Sequence, residues 1–137
     1  MDKYIGCKMV EAEAAEKKIN GVLEPGYKVK YEDGYESWSP KDVFERAYMK
    51  IGDNVTITQK NVDDFIAKTE VITMGEKTTV VRATLVNGFE LVESSACVSK
   101  DNYDESIGAE ICKGRIKDKV WGYLGFLLQT AVGGVKK

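Results

Sequence analysis

Residues 103–131 constrain this chain more than any other stretch of it. Ile107, Ile111, Ile116, Val120, Tyr123, Leu124, Leu127 and Leu128 recur there at helical spacing, which predicts one long helix with an apolar stripe. Asp101 or Asn102 can cap its first N–H groups, and Asp104 and Glu105 suit the positive end of its dipole. Lys113, Arg115, Lys117 and Lys119 fall off the stripe. Gly108, Gly114, Gly122 and Gly125 are costly inside a helix, at about 1 kcal/mol each against alanine. They either bend the helix or admit another backbone at close range, and close approach suits a helix that self-associates.

Three extended, β-branched-rich runs precede that helix, over residues 69–74, 78–85 and 89–98. Gly75-Glu76-Lys77 joins the first two. Asn87-Gly88 joins the last two and predicts a tight hairpin in which both residues accept positive φ. The product is an antiparallel meander. Before it come a short strand or extended lead over 55–58 and a helix over 60–68, with Asn61 as cap and Val62, Phe65 and Ile66 facing inwards.

The front of the chain reads as a separate small module. A strand is expected over residues 3–11, then a polar segment, then a loop over 21–26 that contains Pro25. Residues 27–31 and 35–38 alternate with period two across Asp33-Gly34, a hairpin signal. Ser39 and Pro40 open a helix over 41–50, and Gly52-Asp53-Asn54 closes it. Tyr27, Tyr31, Trp38 and Phe44 are expected to form the module's core. The fold class is therefore α+β: a small N-terminal sheet with a short helix (1–52), then a β-meander and a long C-terminal helix (53–137).

Composition narrows the function. The chain has 137 residues and a 43% apolar fraction, which suits a packed core. Twenty basic residues against 22 acidic ones give a net charge of −2, unlike a general nucleic-acid binder. Three widely spaced cysteines without a CxxC pair argue against a disulfide framework or a zinc site, and suit a reducing cytoplasm. The N-terminus has no long apolar run of a signal peptide, and the apolar window 122–135 is too short to span a bilayer. Histidine is absent, which removes the commonest general base and metal ligand. With no triad, HExxH, P-loop or GxGxxG, the expectation moves from catalysis to binding, with no cofactor and no metal.

Three groups of residues could hold a small phosphorylated ligand. Arg115 and Lys119, four apart on one helix face, could grip phosphate oxygens, the first by its fork and the second as a point charge. They could equally be a solvated face with Asp118 as local partner. Ser99, Asn102 and Tyr103 stand at a helix start, where free N–H groups attract anions. Ser99 and Asn102 could read a base edge or a ribose hydroxyl and Tyr103 could stack, but ordinary capping explains the polar pair as well. Phe89, just after the turn, could stack on adenine or be the first core residue of its strand. Cys97 lacks a histidine partner and reads as a strand cysteine.

NGFELVESSACVSKDNYDESIG, followed by a helix ending KVWGYLGFLLQ, resembles a widespread group of small tailed-phage proteins. Their pattern is a strand turn NGF, a strand ending ESACV, a loop with N-aromatic-D, and a helix closing on an aliphatic-Trp-x-x-x-Gly step. The likeness covers residues 54–130, and the front segment is similar to a module that recurs in phage reading frames. Within that group the chain most resembles the Thoeris anti-defence proteins. These are sponges for cyclic ADP-ribose isomers made by bacterial TIR-domain proteins, and some relatives take cyclic oligonucleotides of the CBASS system in oligomeric assemblies. The resemblance implies a homo-oligomer (dimer or hexamer) in the cytoplasm of an infected bacterial host, binding a cyclic nucleotide and touching neither general nucleic acid nor membrane. It implies adenine on Phe89 and pyrophosphate on Arg115 and Lys119. Two other readings stand beside it: a phage accessory or host-takeover protein that binds another protein, and a nucleotide-degrading enzyme using Glu93, Asp101 or Asp104.

Overall fold

The structure, a computed structural model, describes residues 1–136. The chain divides into two units. One is Gly52–Phe126, and the other joins Met1–Ile51 to the chain from Leu127 onward.

The larger unit is a three-stranded antiparallel meander with a helix laid across one face. Its strands are β6 (Ile66–Met74), β7 (Thr78–Leu85) and β8 (Glu90–Ala96), in the order β6-β7-β8. All three expected runs are strands, with β6 starting earlier. In β7, alternate residues Thr79, Val81, Ala83 and Leu85 are buried beneath the helix, the period-two burial of a sheet covered on one side. The short helix α2 (Gln59–Phe65) leads into β6. Its cap is Thr58, which forms a capping box with Asn61, so Asn61 serves from the third helical position rather than as the cap itself.

A 3-10 turn (Lys100–Asn102) and the long helix α3 (Glu105–Gly133) complete the chain. Neither Asp101 nor Asn102 caps α3. Asp104 does, accepting the N–H groups of Ser106 and Ile107 and the Ser106 hydroxyl. Those bonds hold its carboxyl below the usual aspartate range. The side of α3 that packs is Gly108, Cys112, Ile116, Val120 and Leu124, spaced by four. Ile107 (61% exposed) and Ile111 (43%) face water, contrary to the expected stripe. A run spaced only by four drifts around a 3.6-residue helix, and such a drift suits a helix that follows a twisted sheet.

Of Gly108, Gly114, Gly122 and Gly125, a close approach requires glycine at Gly108. A Cβ there would stand 2.2 Å from Thr79 Oγ1, whereas Gly114, Gly122 and Gly125 have open space around them. The close approach is thus between α3 and β7 of the same chain.

The smaller unit contains a sheet in the order β1-β4-β5 and a separate hairpin β2–β3. The strands are β1 (Glu11–Ala14), β2 (Lys17–Ile19), β3 (Val22–Glu24), β4 (Gly26–Lys30) and β5 (Glu36–Pro40), followed by α1 (Lys41–Ala47). Residues 1–10 form no strand, so the expectation for 3–11 fails; pairing to β4 begins at Glu11 opposite Lys30. The stretch expected as loop from residue 21 contains β3 instead. Val29 is the buried apolar side chain here. Tyr27, Tyr31, Trp38 and Phe44 are only half-buried, so they do not make the expected closed core. Phe44 stacks between Tyr27 (4.3 Å) and Tyr48 (4.9 Å), and Trp38 Nε1 donates to Ala15 O at 2.7 Å.

The two Asn-Gly pairs fold differently. At Asn20-Gly21 both residues have positive φ (51° and 82°), giving a two-residue turn between Ile19 and Val22. At Asn87-Gly88 only Gly88 does (90°). There Gly88 N–H donates to Leu85 O and Leu85 N–H to Phe89 O, so the loop has three residues and closes on a bulge. Asn87 Oδ1 accepts the Phe89 N–H at 3.0 Å. Phe89 is left at the end of the hairpin.

Candidate functional site

Helix α3 crosses the meander on a diagonal, and its ties to the strands show the path. Near its start, Tyr103 Oη lies 2.8 Å from Thr73 Oγ1 and 2.7 Å from Thr79 Oγ1, and Glu105 accepts from Thr73. Cys112 Sγ points at Thr79 O (3.9 Å), and burial pushes its thiol pKa up. Further along, the helix leans on β8. Arg115 Nη1 donates to Ser94 O at 2.7 Å, Lys119 Nζ pairs with Glu93 Oε1 at 2.7 Å, and Tyr123 meets Phe89 edge to face at 5.8 Å. As the helix rises through 115, 119 and 123, its partners run back along β8 through 94 and 93 to 89 in the hairpin before it.

These ties split the six candidate residues into two groups. Phe89, Arg115 and Lys119 share the β8 flank of α3. Ser99, Asn102 and Tyr103 lie at the other end of the sheet. Glu105 and Tyr123 are about 27 Å apart along the helix at about 1.5 Å per residue, so one small ligand stacked on Phe89 cannot also reach Ser99, Asn102 and Tyr103 of the same chain.

At the far end the local chemistry is structural. Ser99 Oγ accepts the Asp101 N–H (3.3 Å), and Ser99 O accepts the Asn102 N–H (3.1 Å) and the Cys97 thiol (3.0 Å). The Tyr103 hydroxyl is held by two threonines, so that side chain anchors the entry to α3. Asn102 and Tyr103, with Ser95, Cys97 and Ile107, line a shallow depression of about 120 Å³.

On the β8 flank the pieces suit anion and ring recognition better. Phe89 is 54% exposed, so it is not a core residue, and its edge contact with Tyr123 fixes the ring while leaving a face to solvent. Tyr123 had read only as part of the apolar stripe; its spacing of four from Lys119 is the sequence signal that could have joined it to the site. Lys119 bonds Glu93, and that bond holds the ammonium above the ordinary lysine range. Arg115 spends one donor on Ser94 O, and a guanidinium has five. An incoming anion therefore competes with Glu93 for Lys119 but can share Arg115. From Arg115 to Tyr123 the flank spans about 12 Å, the scale of a nucleotide. Of the three acids considered for catalysis, Glu93 holds Lys119 and Asp104 caps α3.

Among the described residues no group of three or more His, Cys, Asp or Glu could hold a metal ion, and no helix is long and apolar enough to cross a membrane. All three cysteines are free thiols. No curated protein and no solved structure matches the chain. A family model does match, over residues 57–132, which takes in α2, the meander, Phe89 and nearly all of α3. That span exceeds half of the 137 residues, so the chain belongs to the phage protein (N4 Gp49/phage Sf6 gene 66) family.

Proposed function

We propose that this phage protein binds a cyclic ADP-ribose-type nucleotide on the β8 flank of α3 and sequesters it unaltered in the cytoplasm of the infected host. One observation carries the reading: the half-exposed Phe89–Tyr123 ring pair lies one helical turn from Lys119 and two from Arg115. A ring face that can stack a base thus adjoins two cations that can meet phosphates. The likeness to the Thoeris anti-defence sponges supports the same ligand class, with cyclic oligonucleotides as related candidates. Ser99, Asn102 and Tyr103 could join such a ligand only from a second copy of the chain, which is the physical motive for a homo-oligomer.

Isothermal titration with a cyclic ADP-ribose isomer, followed by chromatography of the ligand released on heating, tests the reading. Saturable heat at micromolar ligand and recovery of the intact molecule are the expected results. An absence of heat refutes binding, and a new product peak refutes sequestration in favour of an enzyme.

A second reading, docking of another protein, rests on a different surface. The meander face opposite α3 exposes Ile72, Met74 and Val92, each more than half exposed. Pull-down from infected cells that recovers a stoichiometric protein, with no small-molecule heat, would favour it.

A further inference from the structure

The diagonal of α3 leaves one corner of the meander uncovered. The helix starts over Thr73 and Thr79 and reaches Phe89 at Tyr123, so it moves away from the first residues of β6. A β-bulge shapes that corner. Ile66 pairs with Leu85 and Lys68 with Thr84, so Ala67 is an extra residue in β6. Without the bulge, Ile66 and Thr69 would point to opposite faces. With it, both share the α3 face, since Thr69 pairs with the buried Ala83 and Ile66 with the buried Leu85.

The outcome is a half-open hollow of about 200 Å³ lined by Asp63, Ile66, Thr69, Lys113, Ile116 and Lys117. Its floor is apolar, with Ile116 only 1% exposed. Its rim is charged. Lys117 pairs with Asp63 at 3.3 Å, and Asp63 is also bonded by Gln59. Lys113 is half-buried, and among the described residues it takes part in no salt bridge. Two ammonium groups against one carboxylate leave the rim with one net positive charge, and the Thr69 hydroxyl adds a donor. This hollow is on the α2 side of α3, away from the β8 flank.

We infer that this hollow is a binding site for a small anion carrying an apolar ring, of aryl-phosphate or aryl-carboxylate chemistry. The ring would lie on Ile66 and the methylene stems of Lys113 and Lys117, above the buried Ile116, and the anionic group would sit between Lys113, Lys117 and Thr69. Neither half of such a ligand suffices. A bare anion gains only a solvent-screened lysine contact, and a bare ring leaves the ammonium of Lys113 unmatched. The site stands independently of the nucleotide reading for the β8 flank.

Methyl and amide NMR of the full chain, titrated with phenyl phosphate and separately with inorganic phosphate, tests it. Saturable shifts at Ile66, Thr69, Lys113 and Ile116 are expected, with phenyl phosphate bound at least tenfold more tightly than inorganic phosphate. Lys113→Gln should weaken phenyl phosphate about tenfold, the loss expected for one charge-assisted bond. Equal affinity for the two probes, shifts only on the β8 flank, no saturation, or an unchanged affinity in Lys113→Gln would each overturn the inference.

Discussion

Alanine placed at two glycines of α3 should act with opposite signs. At Gly114 a new Cβ meets nothing within 4 Å, so alanine brings only its better helix propensity, about 1 kcal/mol. At Gly108 the same Cβ would stand 2.2 Å from Thr79 Oγ1 and 2.7 Å from Thr79 Cβ. Thr79 is fully buried, and its hydroxyl is bonded to Tyr103, so it cannot swing away without losing that bond. Overpacking of a tight core costs about 1–3 kcal/mol, and a broken hydrogen bond adds about 1 kcal/mol. Against a propensity gain of about 1 kcal/mol, Gly108→Ala should lose about 1–3 kcal/mol net. At about 4–8 °C per kcal/mol for a unit of this size, Tm should fall by at least about 4 °C. Gly114→Ala should raise Tm by a similar step. Circular dichroism melts at matched concentration measure both. If both variants melt higher than the parent, the intimate contact between α3 and β7 does not exist, and the diagonal path of the helix is wrong.

Three more outcomes are expected. Arg115→Ala should weaken binding of a cyclic ADP-ribose isomer by more than tenfold in the titration above, since a charge-assisted bond to phosphate contributes about 1.5–3 kcal/mol; Phe89→Ala should weaken it as well, by about 1–3 kcal/mol of lost stacking. Unchanged affinity in both would remove the β8 flank as the site. Asp104 has a depressed folded-state pKa, set first by the Ser106 hydroxyl and then by backbone N–H groups. Its contribution is therefore present above the unfolded value of about 3.9 and is lost as pH falls through the folded value. Urea midpoints followed below about pH 4 should drop less in Asp104→Asn than in the parent, and parallel acid profiles would refute that cap. Light scattering should give the mass of a multimer, because Phe89 and the group Ser99, Asn102 and Tyr103 can share a ligand only between copies; a monomer mass would refute this.

Much of the secondary structure was legible because its causes are local. β-branched runs and glycine turns marked β6, β7 and β8, and helical spacing marked α3, within a few residues at their ends. The same local grammar misled where two answers share one code. Asn20-Gly21 and Asn87-Gly88 are the same dipeptide, yet one makes a two-residue turn and the other a three-residue loop with a bulge. The choice rests on where the flanking strands pair, which is not a property of the turn. The hairpin β2–β3 went unread because all of its residues are exposed and carry no burial pattern.

The candidate site shows the same division. Sequence alone determined that α3 exists, that Arg115 and Lys119 share one of its faces, and that an aromatic follows the second turn of the meander. Only the tertiary structure decided that Ser94 and Glu93 already occupy those two cations, that Tyr123 braces Phe89, and that Ser99, Asn102 and Tyr103 stand at the opposite end of β8 from Phe89. It also decided that Gly108 serves β7, and that a bulge at Ala67 opens a hollow on the opposite flank. The reason is that periodicity reports the angle of a side chain around its own axis. Which strand lies beneath that angle depends on the diagonal at which a drifting apolar row settles on a twisted sheet, and residues more than a dozen positions apart set it together.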